Sequence, residues 1–209
     1  MSDILAFISW YLVISLVGLA AFPVAYRFLH GLHDRGAAFA RPLGLLIWGF
    51  FYWLLVSFGI LQNDLGGEII AFVLLLILSA FFVQKSGIKE LLEWVRDHWK
   101  TLLREEAVFL VFFGLWTVVR AANPEIAYTE KPMELAFINA ILKSPGLPPQ
   151  DPWLSGYAIS YYYFGYVIIA MLIRITGVVS GVGFNLTAAL WFGMTAAGYR
   201  ARSSCPNIM

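Results

Sequence analysis

Residues 4–26, ILAFISWYLVISLVGLAAFPVAY, carry no charge, and reading them decides the class of the fold. A helix needs about 20 predominantly apolar residues to cross a bilayer, and this run meets that length. Asp3 stands where a cleavable leader would have a basic flank, and the run is too long for a leader's apolar core, so the segment is expected to stay in the mature chain. The composition agrees: the 209 residues are 60% hydrophobic and 13% charged, whereas a soluble domain is about half apolar and about a quarter charged. With 14 basic against 13 acidic side chains, the formal net charge is +1. That leaves no basic surplus to neutralise phosphates and excludes nucleic acid as a partner. A single cysteine, Cys205, allows neither an internal disulfide nor a cysteine-built zinc site.

Further apolar windows follow at 43–61, 69–83, 107–119, 157–173 and within 175–199. The chain therefore reads as an all-α polytopic membrane protein with about six transmembrane helices. Arg27, Arg35 and Arg41 crowd the first loop, and Lys85, Lys89, Arg96, Lys100 and Arg104 the third, while 62–67 has no basic residue. Basic loops stay in the cytoplasm, so the N-terminus and the segment 121–158 are expected outside the cytoplasmic membrane, and alternation carries Arg200 and Arg202 outside as well. In the third loop Ile88, Leu91, Leu92, Val95, Trp99, Leu102 and Leu103 recur at helical spacing, which predicts an amphipathic helix lying in the membrane interface. The chain divides into a region 1–106 with three spans and this helix, a region 107–199 containing the external loop 121–158, and a tail 200–209. The apolar pattern collapses in that tail, which predicts that the chain is the N-terminal piece of a longer protein and that its last residues are non-native.

The densest group of chemically useful side chains lies in 120–166, RAANPEIAYTEKPMELAFINAILKSPGLPPQDPWLSGYAISYYYFGY. Thr129 or Glu130 sits at a helix cap, Pro132 suits an early helical position, and Met133, Phe137, Ile138, Ile141 and Leu142 form an apolar stripe. This predicts a short helix on the outer membrane surface. Five prolines and glycines between 145 and 152 then force a rigid return that aims Asp151 and Trp153. Glu125, Glu130, Glu134 and Asp151 offer carboxylates for a general base or a divalent cation, and Glu130 and Glu134 share one helical face. The three histidines all lie in the cytoplasmic loops, which argues against zinc outside. Tyr161, Tyr162 and Tyr163 read as the start of the fifth span, either an aromatic belt or a fan of rings of which at least one faces the protein.

The ordered motifs Asn123-Pro124-Glu125-Ile126, Thr129-Glu130-Lys131-Pro132-Met133-Glu134, Pro148-Pro149-Gln150-Asp151-Pro152-Trp153 and Tyr161-Tyr162-Tyr163-Phe164-Gly165 resemble the YYY-domain family of large bacterial and archaeal membrane proteins, which is grouped with the GT-C membrane glycosyltransferases. The resemblance covers roughly 120–193. Glu134 stands where an aspartate is usual, and Ser160 where an asparagine commonly precedes the tyrosines. The resemblance implies transfer of a sugar from a polyprenyl-phosphate donor at the outer face. It assigns Glu130 as first choice of base, Asp151 as second and Glu125 as third, with Arg120 and Lys131 neutralising the leaving phosphate. Trp153 and Tyr161, Tyr162 and Tyr163 would stack on the sugar. It allows a divalent cation, Mg or Mn, without naming its ligands. The alternatives are a non-catalytic scaffold or assembly subunit and, behind that, a transporter of lipid-linked sugars.

Overall fold

The uncharged run folds as one long helix, α1 (Asp3–Phe28), whose first turn is capped by Ser2 Oγ accepting from the Leu5 N–H. In the computed structural model, which describes residues 2–203, the chain continues through α2 (Ala40–Ser57), α3 (Leu65–Ser86), α4 (Ile88–Asp97), α5 (Trp99–Ala122), α6 (Lys131–Lys143), α7 (Phe164–Thr176) and α8 (Ser180–Ser203). The described residues contain no strand, only an isolated antiparallel bridge between Gln150 and Ala158. Residues 204–209 of the expected tail, Cys205 among them, lie outside the described residues.

Helices α1, α2 and α3 pack against one another, and each is long and apolar enough to cross a membrane, α2 together with the short turn Ala37–Phe39 before it. Asp64 starts α3, its Oδ1 accepting from the Gly67 N–H at 2.8 Å. Residues 58–64 meet the segment after α6 at one end of the bundle, the upper end. Loop 29–39 and α4 meet at the other, the lower end. Within that loop the buried Asp34 carboxylate accepts from Gly36 and Ala38 N–H groups and folds the turn that launches α2.

The expected six spans resolve into three helices that pass on length and composition, or four when α7 and α8 count as one bent span. Helix α7 explains much of the difference. Its 13 residues reach about 20 Å, short of the roughly 30 Å hydrocarbon core. Val167 to Ile173 are all buried, so this helix is apolar because protein encloses it. Gly177 caps it in the left-handed conformation, φ 65°, and the chain turns by 119° into α8.

Helix α8 then runs antiparallel beside α5. Asn185 meets Arg120 near one end, Gly193 lies against Phe109 and Phe113, and Arg200 pairs with Glu105 near the other. A Cβ on Gly193 would stand 3.0 Å from Phe113 Cβ and 3.1 Å from the Phe109 carbonyl oxygen, so the absence of a side chain sets the close approach. This corrects the placement of Arg200 and Arg202. Alternation of spans separates them from the other basic loops, but α7 and α8 together make at most one bent span, and α8 brings them to the lower end beside loop 29–39.

The amphipathic helix forms, but it stops at Asp97. His98 breaks the expected run, its ring stacked on Trp94 at 4.6 Å, and Trp99, Leu102 and Leu103 belong to α5. Trp94 packs edge-on to Tyr26 and beside Phe22, and Glu90 bonds Tyr26 and Arg35, which docks α4 on the lower end of α1.

Candidate functional site

Two consecutive non-glycine residues in the left-handed region, Tyr128 (φ 65°) and Thr129 (φ 54°), lead into Glu130. For the β-branched Thr129 this is a strained conformation, of the kind that clusters at functional sites. Glu130 occupies the N-cap position of α6 without capping it, so its exposed carboxylate is left to solvent and neighbours. Helix α6 buries Phe137, Ile138 and Ile141 against the bundle, as its apolar stripe predicts.

Phe137 is the hub of an aromatic group. Trp153 stands edge-on to it at 5.6 Å, Tyr161 lies at 5.7 Å and Tyr166 at 5.9 Å. Tyr166 donates to Glu134 Oε1 at 3.3 Å. Tyr161 donates to the Tyr162 hydroxyl at 2.5 Å, and that hydrogen bond, with burial and the nearby Glu130 charge behind it, pushes the Tyr161 phenol up to about 12. It therefore keeps its proton at neutral pH, held on the Tyr162 hydroxyl. The three tyrosines precede α7, which begins at Phe164, so the expectation that they fan round a helix is corrected. Tyr163 turns inward, where its hydroxyl accepts from Trp53 Nε1 at 3.1 Å, and Tyr162 points out with its ring 75% exposed.

Asp151 has another duty as well. Its Oδ1 accepts from the Trp153 and Leu154 N–H groups at 2.8 and 3.0 Å, and its own N–H bonds Tyr157, so it folds the tip of a small hairpin. The hairpin and α6 enclose a cavity of about 410 Å³ that Asn139, Lys143, Gln150 and Asp151 line. Glu125 is exposed, and Lys131 is half-buried at the first turn of α6. Arg120 belongs to a separate group: Nε donates to Asn185 Oδ1 at 2.8 Å, and Asn185 Nδ2 donates to the Pro124 and Gly181 carbonyls at 3.1 Å. It lines a cavity of about 180 Å³ with Asp3 and Pro124, and among the described residues no hydrogen bond or ring contact joins it to the tyrosines. No three His, Cys, Asp or Glu side chains among the described residues converge as metal ligands. A cation here does not fit a cage built from these side chains alone, and no step is assigned to one.

Beneath this group lies a feature that sequence reading missed. Arg174 of α7 pairs with Glu68 of α3, donates to Tyr52 at 3.0 Å and reaches Asn63 Oδ1 at 3.1 Å. Tyr52 donates to the same Asn63 oxygen at 2.6 Å, and Asn63 Nδ2 donates to the Ile141 and Ser144 carbonyls at 2.6 Å each. The pair is nearly dry, with Glu68 0% and Arg174 16% exposed. Glu68 stands just before the apolar run 69–83, and Arg174 between the runs 157–173 and 175–199. The available signal is that one acid and one base, each bordering an apolar run, must find partners.

The residues 47–201 match the model of a family described as an uncharacterized membrane protein family, DUF2298. No curated protein and no solved structure matches the chain.

Proposed function

The chain belongs to the DUF2298 family of uncharacterized membrane proteins, and on that premise we propose that it is part of a membrane glycosyltransferase using a polyprenyl-phosphate sugar donor at the outer face. The observation that carries this reading is the grouping of Glu130 and Glu134 beside the aromatic cluster of Trp153, Phe137, Tyr161 and Tyr166. Aromatic faces suit a sugar ring, and a carboxylate beside them suits proton abstraction.

In this reading the acceptor hydroxyl gives its proton to Glu130 as its oxygen attacks the anomeric carbon. The bond from that carbon to the phosphate oxygen breaks, and the lipid phosphate leaves with both electrons. Lys131, next in the chain, offers positive charge to the departing phosphate. Tyr161 holds its proton on the Tyr162 hydroxyl, which leaves the Tyr162 O–H to donate. Asp151 ranks below Glu130 because one of its oxygens already holds the hairpin, and Glu125 ranks third. Arg120 serves the lipid phosphate only if the donor reaches the Asn185 group.

The orientation belongs to the same proposal: the lower end faces the cytoplasm, which Arg200 and Arg202 support by joining the basic loops there. The test is sugar transfer in proteoliposomes holding the intact protein and a polyprenyl-phosphate sugar. Glu130→Gln should lower the rate by about 10²–10⁴-fold at unchanged membrane abundance. Unaltered transfer in Glu130→Gln would remove Glu130 as the base, and no transfer by the unaltered protein would return the chain to the scaffold reading.

A further inference from the structure

At the lower end, α1, the start of α2, α4 and α5 enclose a cavity of about 320 Å³. Its polar side is a connected cluster. Arg41 donates to Glu106 at 2.5 and 2.7 Å and to Ser15 Oγ at 3.1 Å, and Tyr11 donates to Glu106 at 2.7 Å. The opposite walls are Leu19, Phe22, Val95 and Leu102. A polar cluster facing apolar walls beside an amphipathic helix suits an amphiphile with its head inside and its chain toward the bilayer.

The charge of the lining narrows the head. Among the described residues the lining sets Arg41 against Glu105 and Glu106, and Arg200 on Glu105 brings the charge around the cavity into balance. Phe109 covers the Arg41 guanidinium at 4.1 Å, and Arg41 Nε is buried without an acceptor. The Glu105 side chain is only 7% exposed. One of its oxygens holds Arg200, and the other, Oε2, is buried with no hydrogen-bond partner. A buried carboxylate oxygen without a donor is costly, and so is a guanidinium N–H without an acceptor. Glu105 Oε2 can thus take one more donor and the Arg41 Nε–H one more acceptor.

We propose that this cavity binds the head of a zwitterionic aminophospholipid, with its ammonium toward Glu105 and Glu106 and its phosphate toward Arg41. The charge around the cavity is balanced and matches a head that carries both signs better than a purely anionic one, so this site differs in chemistry from the donor site proposed at the upper end. It stands whether or not the chain transfers sugar.

The test reconstitutes the full chain into nanodiscs of equal phosphatidylethanolamine and phosphatidylglycerol, then extracts it gently and quantifies the co-purifying lipid by mass spectrometry. Phosphatidylethanolamine should be enriched by about fivefold or more, and Glu106→Gln should remove most of that enrichment. Leu102→Trp fills the cavity without touching a charge and should abolish the enrichment even where Glu106→Gln folds poorly. Equal retention of both lipids by the unaltered chain, or full enrichment in Leu102→Trp, overturns the proposal.

Discussion

An arginine and a glutamate meet at each end of the bundle, and the two pairs live in different surroundings. At the upper end Arg174 and Glu68 are enclosed with Tyr52 and Asn63, Glu68 fully buried. At the lower end Arg41 and Glu106 border a cavity, and Glu106 is 34% exposed. The first pair ties α3 to α7 and, through Asn63, to the end of α6. The second borders an opening, with Tyr11 and Ser15 as its further polar partners. The same two side chains thus act as a fastening where protein surrounds them and as a receptor where it does not.

Removing the arginine of the enclosed pair should have the largest effect. Arg174→Leu strands a fully buried carboxylate and should cost about 3–5 kcal/mol, seen as a lower unfolding temperature in detergent and faster proteolysis between α6 and α7. Stability within error of the unaltered chain would mean that the upper pair is no fastening. Gly193→Leu comes next, since the new side chain has no room between α5 and α8, and overpacking should cost about 1–3 kcal/mol. Thermal unfolding measures it, and the loss should leave lipid retention at the lower cavity less affected than Glu106→Gln does. Glu106→Gln should cost only about 1 kcal/mol, because water already reaches the group. A loss as large as that of Arg174→Leu would erase the distinction between the two ends. Trp153→Ala should cost least, about 0.5–1.5 kcal/mol for the lost ring contact with Phe137, and an unfolding scan beside a sugar-transfer assay separates that packing loss from any loss of substrate stacking.

The distinction between the ends was only half legible from the residues. The all-helical class, the interfacial helix and the short helix before Ser144 follow from period and composition, because each depends on neighbours three or four residues away. The fate of 157–173 does not. A helix buried in protein and one buried in lipid have the same apolar surface, and only the turn at Gly177 and the closeness of Gly193 to Phe113 decide between them. The split at His98 is likewise invisible to a pattern that runs on through Leu103. At the site, the local sequence brings Glu130 to the head of a helix, whereas the meeting of Phe137 with Trp153 and Tyr161 depends on a hairpin set by backbone hydrogen bonds together with the Asp151 carboxylate and the Ser144 hydroxyl. The Arg174 group joins residues more than 100 positions apart, a separation that no periodicity reports.

Ser144 gathers three restraints into one residue: its N–H closes α6 on the Ala140 carbonyl, its own carbonyl accepts from Asn63, and its hydroxyl accepts from the Gln150 N–H. In mechanical terms it is the pivot between a rigid frame and a movable arm. The frame is the membrane bundle reached through Asn63, and the arm is the hairpin that carries Asp151 and Trp153. Because the arm's hydrogen bond to the pivot runs through the hydroxyl alone, Ser144→Ala would leave the frame's grip on α6 intact and hand the arm over to the ring contacts of Phe137 with Trp153 and Tyr161.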